Sequence, residues 1–197
     1  PQEAFRHMTK NKTTWVHFQI FVIVAIFFGP LAVATYMYYS GAFQPQGRTN
    51  YGTLLEPIIN PAEILPESSI GTLGDGLWLL IYSNAAECVS SCKDALYTIR
   101  QSRKMLGQDM GRLLRVFLHG DSSPDTVFLA YEHAGLITLT DKPLSELLNK
   151  KKTAKLSAGG YFLIDPLGNL VMYFQPEIDP REMVKDIKHL LELSRIG

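Results

Sequence analysis

The sequence predicts an α/β domain carried behind one N-terminal membrane-spanning helix. Three observations predict it. A long stretch lacks charge altogether, since no Asp, Glu, Lys or Arg occurs from Thr13 to Gly47. Short continuous apolar runs of strand length recur later in the chain. Segments with apolar residues at helical spacing separate those runs, which is the pattern of a sheet covered by helices on its faces.

The uncharged stretch contains Trp15 to Phe28, then Gly29-Pro30, then Leu31 to Tyr39. About 24 helical residues span roughly 36 Å, enough to cross a bilayer with some tilt. Trp15 at one end and Tyr36, Tyr38 and Tyr39 at the other suit the two membrane interfaces. Pro30 removes one helical hydrogen bond, so a kink is expected near Gly29. A cleaved signal peptide would have a shorter apolar region, of about 7–15 residues. Arg6, Lys10 and Lys12 precede the helix, and Arg48 is the nearest cation after it. The positive-inside rule then puts residues 1–14 in the cytoplasm, residues 15–40 across the membrane, and the rest outside, in the periplasm of a bacterial inner membrane.

Residues 41–70 read as an extended tether. Pro45, Gly47, Gly52, Pro57, Pro61 and Pro66 interrupt it too often for a long helix or strand. Leu54, Leu55, Ile58, Ile59, Ile64 and Leu65 suggest that it packs along a surface.

Residues 71–197 then form one domain. Leu77 to Tyr82 reads as a strand buried on both faces, and a helix follows from about Cys88 to Leu106. Leu113 to Leu118 is a second buried strand. Thr126 to Tyr131 begins a helix, and Pro143 to Lys150 is another. Tyr161 to Asp165 and Leu170 to Phe174 form a hairpin around Pro166-Leu167-Gly168-Asn169. Asp179-Pro180 starts a last amphipathic helix, with Asp as cap and Pro in the first turn. The order β-α-β-α-β-β-α, with the hairpin after the crossovers, is the thioredoxin arrangement.

Charge excludes one class of partner. Lysine plus arginine and aspartate plus glutamate number 19 each, so no net field attracts nucleic acid. The two cysteines cannot scaffold the whole domain.

Cys88-Val89-Ser90-Ser91-Cys92 lies where the first central strand gives way to its helix. A helix N-terminus favours thiolate, and this spacing puts both sulfurs on one side of the first turn. The pair can close a disulfide or bind a soft metal ion. Three readings stay open: a structural disulfide, a copper site, and a dithiol oxidoreductase. Glu87 disfavours a strongly acidic thiol, and the spacer is one residue longer than in most thioredoxins.

The chain resembles the Sco/SenC proteins, membrane-tethered thioredoxin-like factors for the copper centre of cytochrome c oxidase. The likeness spans residues 74 to about 192. It rests on the outward anchor, Gly76 to Tyr82 leading to the CxxxC pair, Val116-Phe117-Leu118 before the acidic loop Asp121–Thr126, and Tyr161 to Asn169. The resemblance implies copper as a candidate cofactor, held by Cys88, Cys92 and one histidine. The place of that histidine falls in residues 155–160, where Ser157 stands nearest and no histidine occurs. His119, at the end of the second strand, is the candidate substitute, because that sheet edge also carries the cysteines. With the third ligand missing, the resemblance favours an accessory subunit or assembly factor docking on a haem-copper cytochrome c oxidase or another respiratory membrane complex. The alternative is a Cu(I) chaperone or thiol–disulfide reductase working through Cys88 and Cys92.

Overall fold

The computed structural model describes residues 2–40, 50–74, 76–122, 125–152 and 159–194, with the side chains of the first helix described from Trp15 onward. The chain divides into two compact units, Pro1–Arg48 and Thr49–Gly197. The first is a single helix, α1 (Gln2–Ser40), which runs unbroken through Pro30. Its segment Trp15–Ser40, 26 residues with a mean hydropathy of 2.3, is long and apolar enough to cross a membrane. Thr35 turns its hydroxyl back to donate to Leu31 O at 2.8 Å, and Ser40 donates to Met37 O at 3.4 Å, so these two hydroxyls are satisfied inside the helix itself.

The second unit is built on β1 (Thr53–Ile59), α2 (Pro61–Ile64), α3 (Ile70–Leu73), β2 (Trp78–Asn84), α4 (Ser90–Met105), a 3-10 turn (Gly107–Arg112), β3 (Leu113–His119), α5 (Thr126–Glu132), β4 (Leu136–Leu139), α6 (Lys142–Lys151), β5 (Tyr161–Ile164), β6 (Leu170–Phe174) and α7 (Pro180–Leu193). The strands form one sheet in the order β1-β6-β5-β2-β3-β4. β2, β3 and β4 run parallel, while β5 lies antiparallel to β2, β6 to β5, and β1 to β6.

Alternation along the central strands sorts their side chains to two faces. Trp78, Leu80, Phe117, Tyr161 and Phe174 pack with Leu96 and Ile99 of α4 and Met183, Ile187 and Leu191 of α7. Leu79, Ile81, Val116, Leu118 and Phe162 pack on the other side with Leu144 and Leu148 of α6. Each such side chain stabilises the fold by about 1.5–3 kcal/mol through burial. Asp125, Asp141 and Asp179 cap α5, α6 and α7, accepting from Phe128 N, Leu144 N and Arg181 N.

Two elements differ from expectation. The second half of the proposed tether, 41–70, is part of the domain: β1 is an edge strand, and Leu55 and Ile70 are buried on the α6 face. Pro57 does not prevent this, because an edge strand needs only one row of hydrogen bonds. Asp186 on α7 fixes the chain just before β1, its Oδ2 accepting from Gly52 N at 2.7 Å. Beside it, Lys185 Nζ donates to Tyr51 OH at 3.3 Å. β4, which the sequence pattern does not suggest, forms the opposite edge. The first half of the tether and Ser157 lie outside the described residues.

Candidate functional site

β2 delivers the chain to the carboxyl edge of the sheet at Asn84, whose side-chain oxygen accepts from Ala86 N at 3.1 Å and turns the backbone. Val89 occupies the N-cap of α4 and supplies no side-chain cap. No side chain caps the N-terminus of this 16-residue helix, so the partial positive charge of its first turn, where Cys92 sits, favours a thiolate there. Cys88 and Cys92 are joined in a disulfide with a Cα–Cα separation of 5.0 Å.

The two sulfur residues have unequal surroundings. Cys92 is 1% exposed, packed in the α4-side core, whereas Cys88 is only partly buried at its margin. An incoming thiolate therefore reaches Cys88 Sγ, and the leaving group is the Cys92 thiolate at the helix N-terminus. Lys93, the next residue, stands over the Phe128 ring at 4.9 Å from its centroid, adding positive charge to the same turn. Glu87 is exposed, which leaves its opposing charge in water.

Aromatic rings support the site from below. Tyr82 stacks on Phe117 at 5.7 Å and meets Tyr161 at 5.5 Å. Burial raises the phenol of Tyr82 above its ordinary range and pushes Tyr161 up to about 12. Both stay protonated near neutral pH. The Tyr161 hydroxyl donates to Pro176 O at 3.3 Å. No motif marks this wall, since Tyr82 and Tyr161 read in sequence as ends of apolar runs.

The candidate third ligands behave differently from the cysteines. His119 lies at the expected sheet edge, opposite Asn84 in register. Its Nδ1 donates to Gly120 O at 2.7 Å, and the Thr140 hydroxyl lies 3.2 Å from Nε2, beyond β4. Because a carbonyl can only accept, Nδ1 is the donor in the bond to Gly120 O. Among the described residues, no three His, Cys, Asp or Glu side chains gather to hold a metal ion, so the structure brings the two cysteines together without His119. Among the described residues, Cys88, Cys92 and His119 do not come together as one group.

Gly160, just before β5, meets the end of β2, its carbonyl accepting from Ser83 N at 3.2 Å. Gly160 has φ +109°, and a Cβ there would stand 2.5 Å from the Tyr173 ring. The chain can pass so close to that ring only with glycine.

Solved structures share this architecture. The apo Sco1 protein from Thermus thermophilus matches with a TM-score of 0.51 at 14% identity, over 72% of this chain and 96% of that one. Arabidopsis thaliana ScoI with copper bound matches with a TM-score of 0.50 at 19% identity, over 64% and 89%. At these identities the likeness shows the fold alone. No curated protein matches the chain in sequence. The model of the transmembrane-like, thioredoxin-like, C-terminal domain matches residues 78–194, from the first residue of β2 to the end of α7. The chain, an α/β thioredoxin-like domain with one N-terminal helix fit to cross a membrane, belongs to that transmembrane-like, thioredoxin-like family.

Proposed function

We propose that this chain is a membrane-anchored, Sco-like accessory or assembly factor that docks on a cytochrome c oxidase at the outer face of a bacterial inner membrane. Its Cys88–Cys92 pair serves there as a thiol–disulfide couple. The observation that carries the redox part is the asymmetry of the pair: one sulfur at the margin of the core, its partner buried at an uncapped helix N-terminus. A stable third copper ligand has no counterpart among the described residues, which favours electron exchange over resident metal. The anchor reading rests on Trp15–Ser40, and the orientation on Arg6, Lys10 and Lys12 before it.

The step balances as follows. In the reduced chain, the Cys88 thiolate attacks one sulfur of a partner disulfide and releases the other as a thiolate. Cys92, as thiolate, then attacks Cys88 Sγ, closes the intramolecular disulfide and releases the second partner thiolate. Two electrons pass to the partner, and an upstream dithiol restores the reduced pair.

The test uses the full chain with Cys92→Ser, which stops the second attack and traps the partner on Cys88. The trapped species, isolated from detergent-solubilised membranes, is expected to contain an oxidase subunit joined by a reducible bond. An oxidase that co-purifies with Cys92→Ser but carries no reducible bond to Cys88 would leave docking standing and remove the redox role. Absence of any respiratory subunit, bonded or merely co-purified, would remove both. Stoichiometric Cu(I) uptake by the reduced chain would favour the copper-chaperone reading instead.

A further inference from the structure

A strip of side chains leads away from the sulfur pair along α4 and α5. Val89, Lys93, Tyr97 and Arg100 recur at helical spacing, so they share one side of α4. Two of them reach α5. Lys93 Nζ stands 4.9 Å from the centroid of the Phe128 ring. Arg100 Nη1 donates to Glu132 Oε2 at 3.0 Å, one turn further along α5, and its guanidinium lies 5.1 Å from the Tyr97 ring. The strip therefore has a fixed course, with Cys88 and Val89 at one end and Arg100 and Glu132 at the other.

Much of this strip is apolar and open to solvent. On α5, Val127 and Tyr131 are 77% and 87% exposed and lie one turn apart, on the side away from the buried Leu129 and His133. On α4, Val89 and Tyr97 are each exposed by half or more. Phe128 and Cys88 both pack at the margin of the same core, so the apolar surface runs up to the reactive sulfur. Single exposed apolar side chains are ordinary, whereas a run of them beside a reactive group marks a contact surface. Charge on the strip is uneven. Arg100 is answered by Glu132, but no carboxylate lies within ion-pair distance of Lys93 among the described residues. The Phe128 ring positions that ammonium without neutralising it.

We propose that this strip docks the partner protein's disulfide-bearing segment, and that it selects segments with an apolar side chain and a carboxylate close to the cysteine. The inference rests on the thiol–disulfide role of Cys88 and names the partner chemistry for that role. The apolar side chain covers Phe128, Val127 and Tyr131, and the carboxylate meets the Lys93 ammonium. A polypeptide fits better than a lipid surface, because the strip ends on a sulfur that only a disulfide or thiol can use. The exchange balances as before: the Cys88 thiolate takes the segment's sulfur, then the Cys92 thiolate closes the intramolecular disulfide and releases the segment as a thiolate.

The test is stopped-flow kinetics of the reduced full chain in uncharged detergent micelles. The probes are two synthetic peptides, each with its single cysteine held as a mixed disulfide with thiopyridine. Leucine and aspartate flank the cysteine in one peptide, serine and lysine in the other. Each rate is divided by that peptide's rate with dithiothreitol, and neutral dithiodipyridine serves as the reference for sulfur reactivity. The acidic, apolar peptide is expected to react about tenfold faster than the basic one. Lys93→Glu is expected to erase or reverse that preference. Val127→Ser with Tyr131→Ser, both at exposed positions, is expected to lower the apolar peptide's rate about fivefold relative to dithiodipyridine. Equal rates for the two peptides, or a preference that survives both variants, overturns the proposal and leaves the sulfur chemistry standing. A dimer of the oxidised chain that the Val127→Ser, Tyr131→Ser variant dissolves assigns the strip to a second copy and also overturns it. A Cys88 that stays modified while Cys92 fails to close the disulfide removes the thiol–disulfide role, and this proposal with it.

Discussion

Replacing Gly160 with alanine loads three costs onto the point where β5 begins. The backbone there has φ +109°, a conformation that costs an L-residue about 1–3 kcal/mol. The added methyl would stand 2.5 and 2.6 Å from Tyr173 ring and hydroxyl atoms and 2.7 Å from Phe174 O. Tyr173 is fully buried, so its displacement is an overpacking cost of about 1–3 kcal/mol. That displacement also breaks the 3.1 Å bond from the Tyr173 hydroxyl to Gly159 O, worth about 1 kcal/mol. The sum, about 3–7 kcal/mol, is a large fraction of an ordinary domain's stability. Gly159→Ala is the internal comparison. It shares a positive φ of +76°, but its Cβ would lie 3.6 Å from Ser83 O, an ordinary contact. Its expected cost is therefore about 1–2 kcal/mol, for the backbone alone. The assay is urea unfolding of the full chain in micelles, followed by fluorescence of the buried Trp78 in a Trp15→Phe background. Equal losses at 159 and 160 would refute the packing argument, since only Gly160 faces the Tyr173 ring.

Asp186→Ala removes the acceptor of the buried Gly52 N–H and is expected to cost about 1–3 kcal/mol, with faster hydrogen exchange at Gly52 as its local signature. After reduction, a small alkylating reagent is expected to label Cys88 well before Cys92, since Cys92 is 1% exposed; mass spectrometry of timed samples reads the order. His133 is held below its ordinary value of 6.5, chiefly by burial, so the folded state disfavours the charged ring. Stability from this residue is fully present above pH 6.5 and falls as pH drops below it, because the unfolded chain then binds the proton more readily. His133→Gln is expected to flatten that slope in unfolding curves.

The central strands were legible and the edge strands were not, for one physical reason. β2, β3 and β5 are covered on both faces, so burial favours apolar runs from Trp78 to Tyr82, Leu113 to Leu118 (broken by Arg115) and Tyr161 to Ile164. β1 carries Glu56 and Pro57 and buries mainly Leu55, while β4 has only four residues, all at least partly exposed. Such strands are defined by their neighbours and carry little pattern of their own. The disulfide was readable because position after a buried strand and spacing at a helix start are both local. His119 shows the limit of edge-level reasoning. The sheet edge is the expected one, yet the ring is set by Gly120 and Thr140, contacts that only the β3–β4 pairing creates. Arg115 carried an unused signal, a charge in the middle of an otherwise apolar run, and its partner, Ala134 O, depends on a turn that the pattern did not reveal.

Those two poorly patterned margins have a consequence for life at a bilayer. Copies held by α1 in one plane would collide often, and open β-ladders would invite them to join laterally. Here a proline without an N–H blunts one margin and the brevity of β4 limits the other, so neighbouring copies find little template for growing a shared sheet.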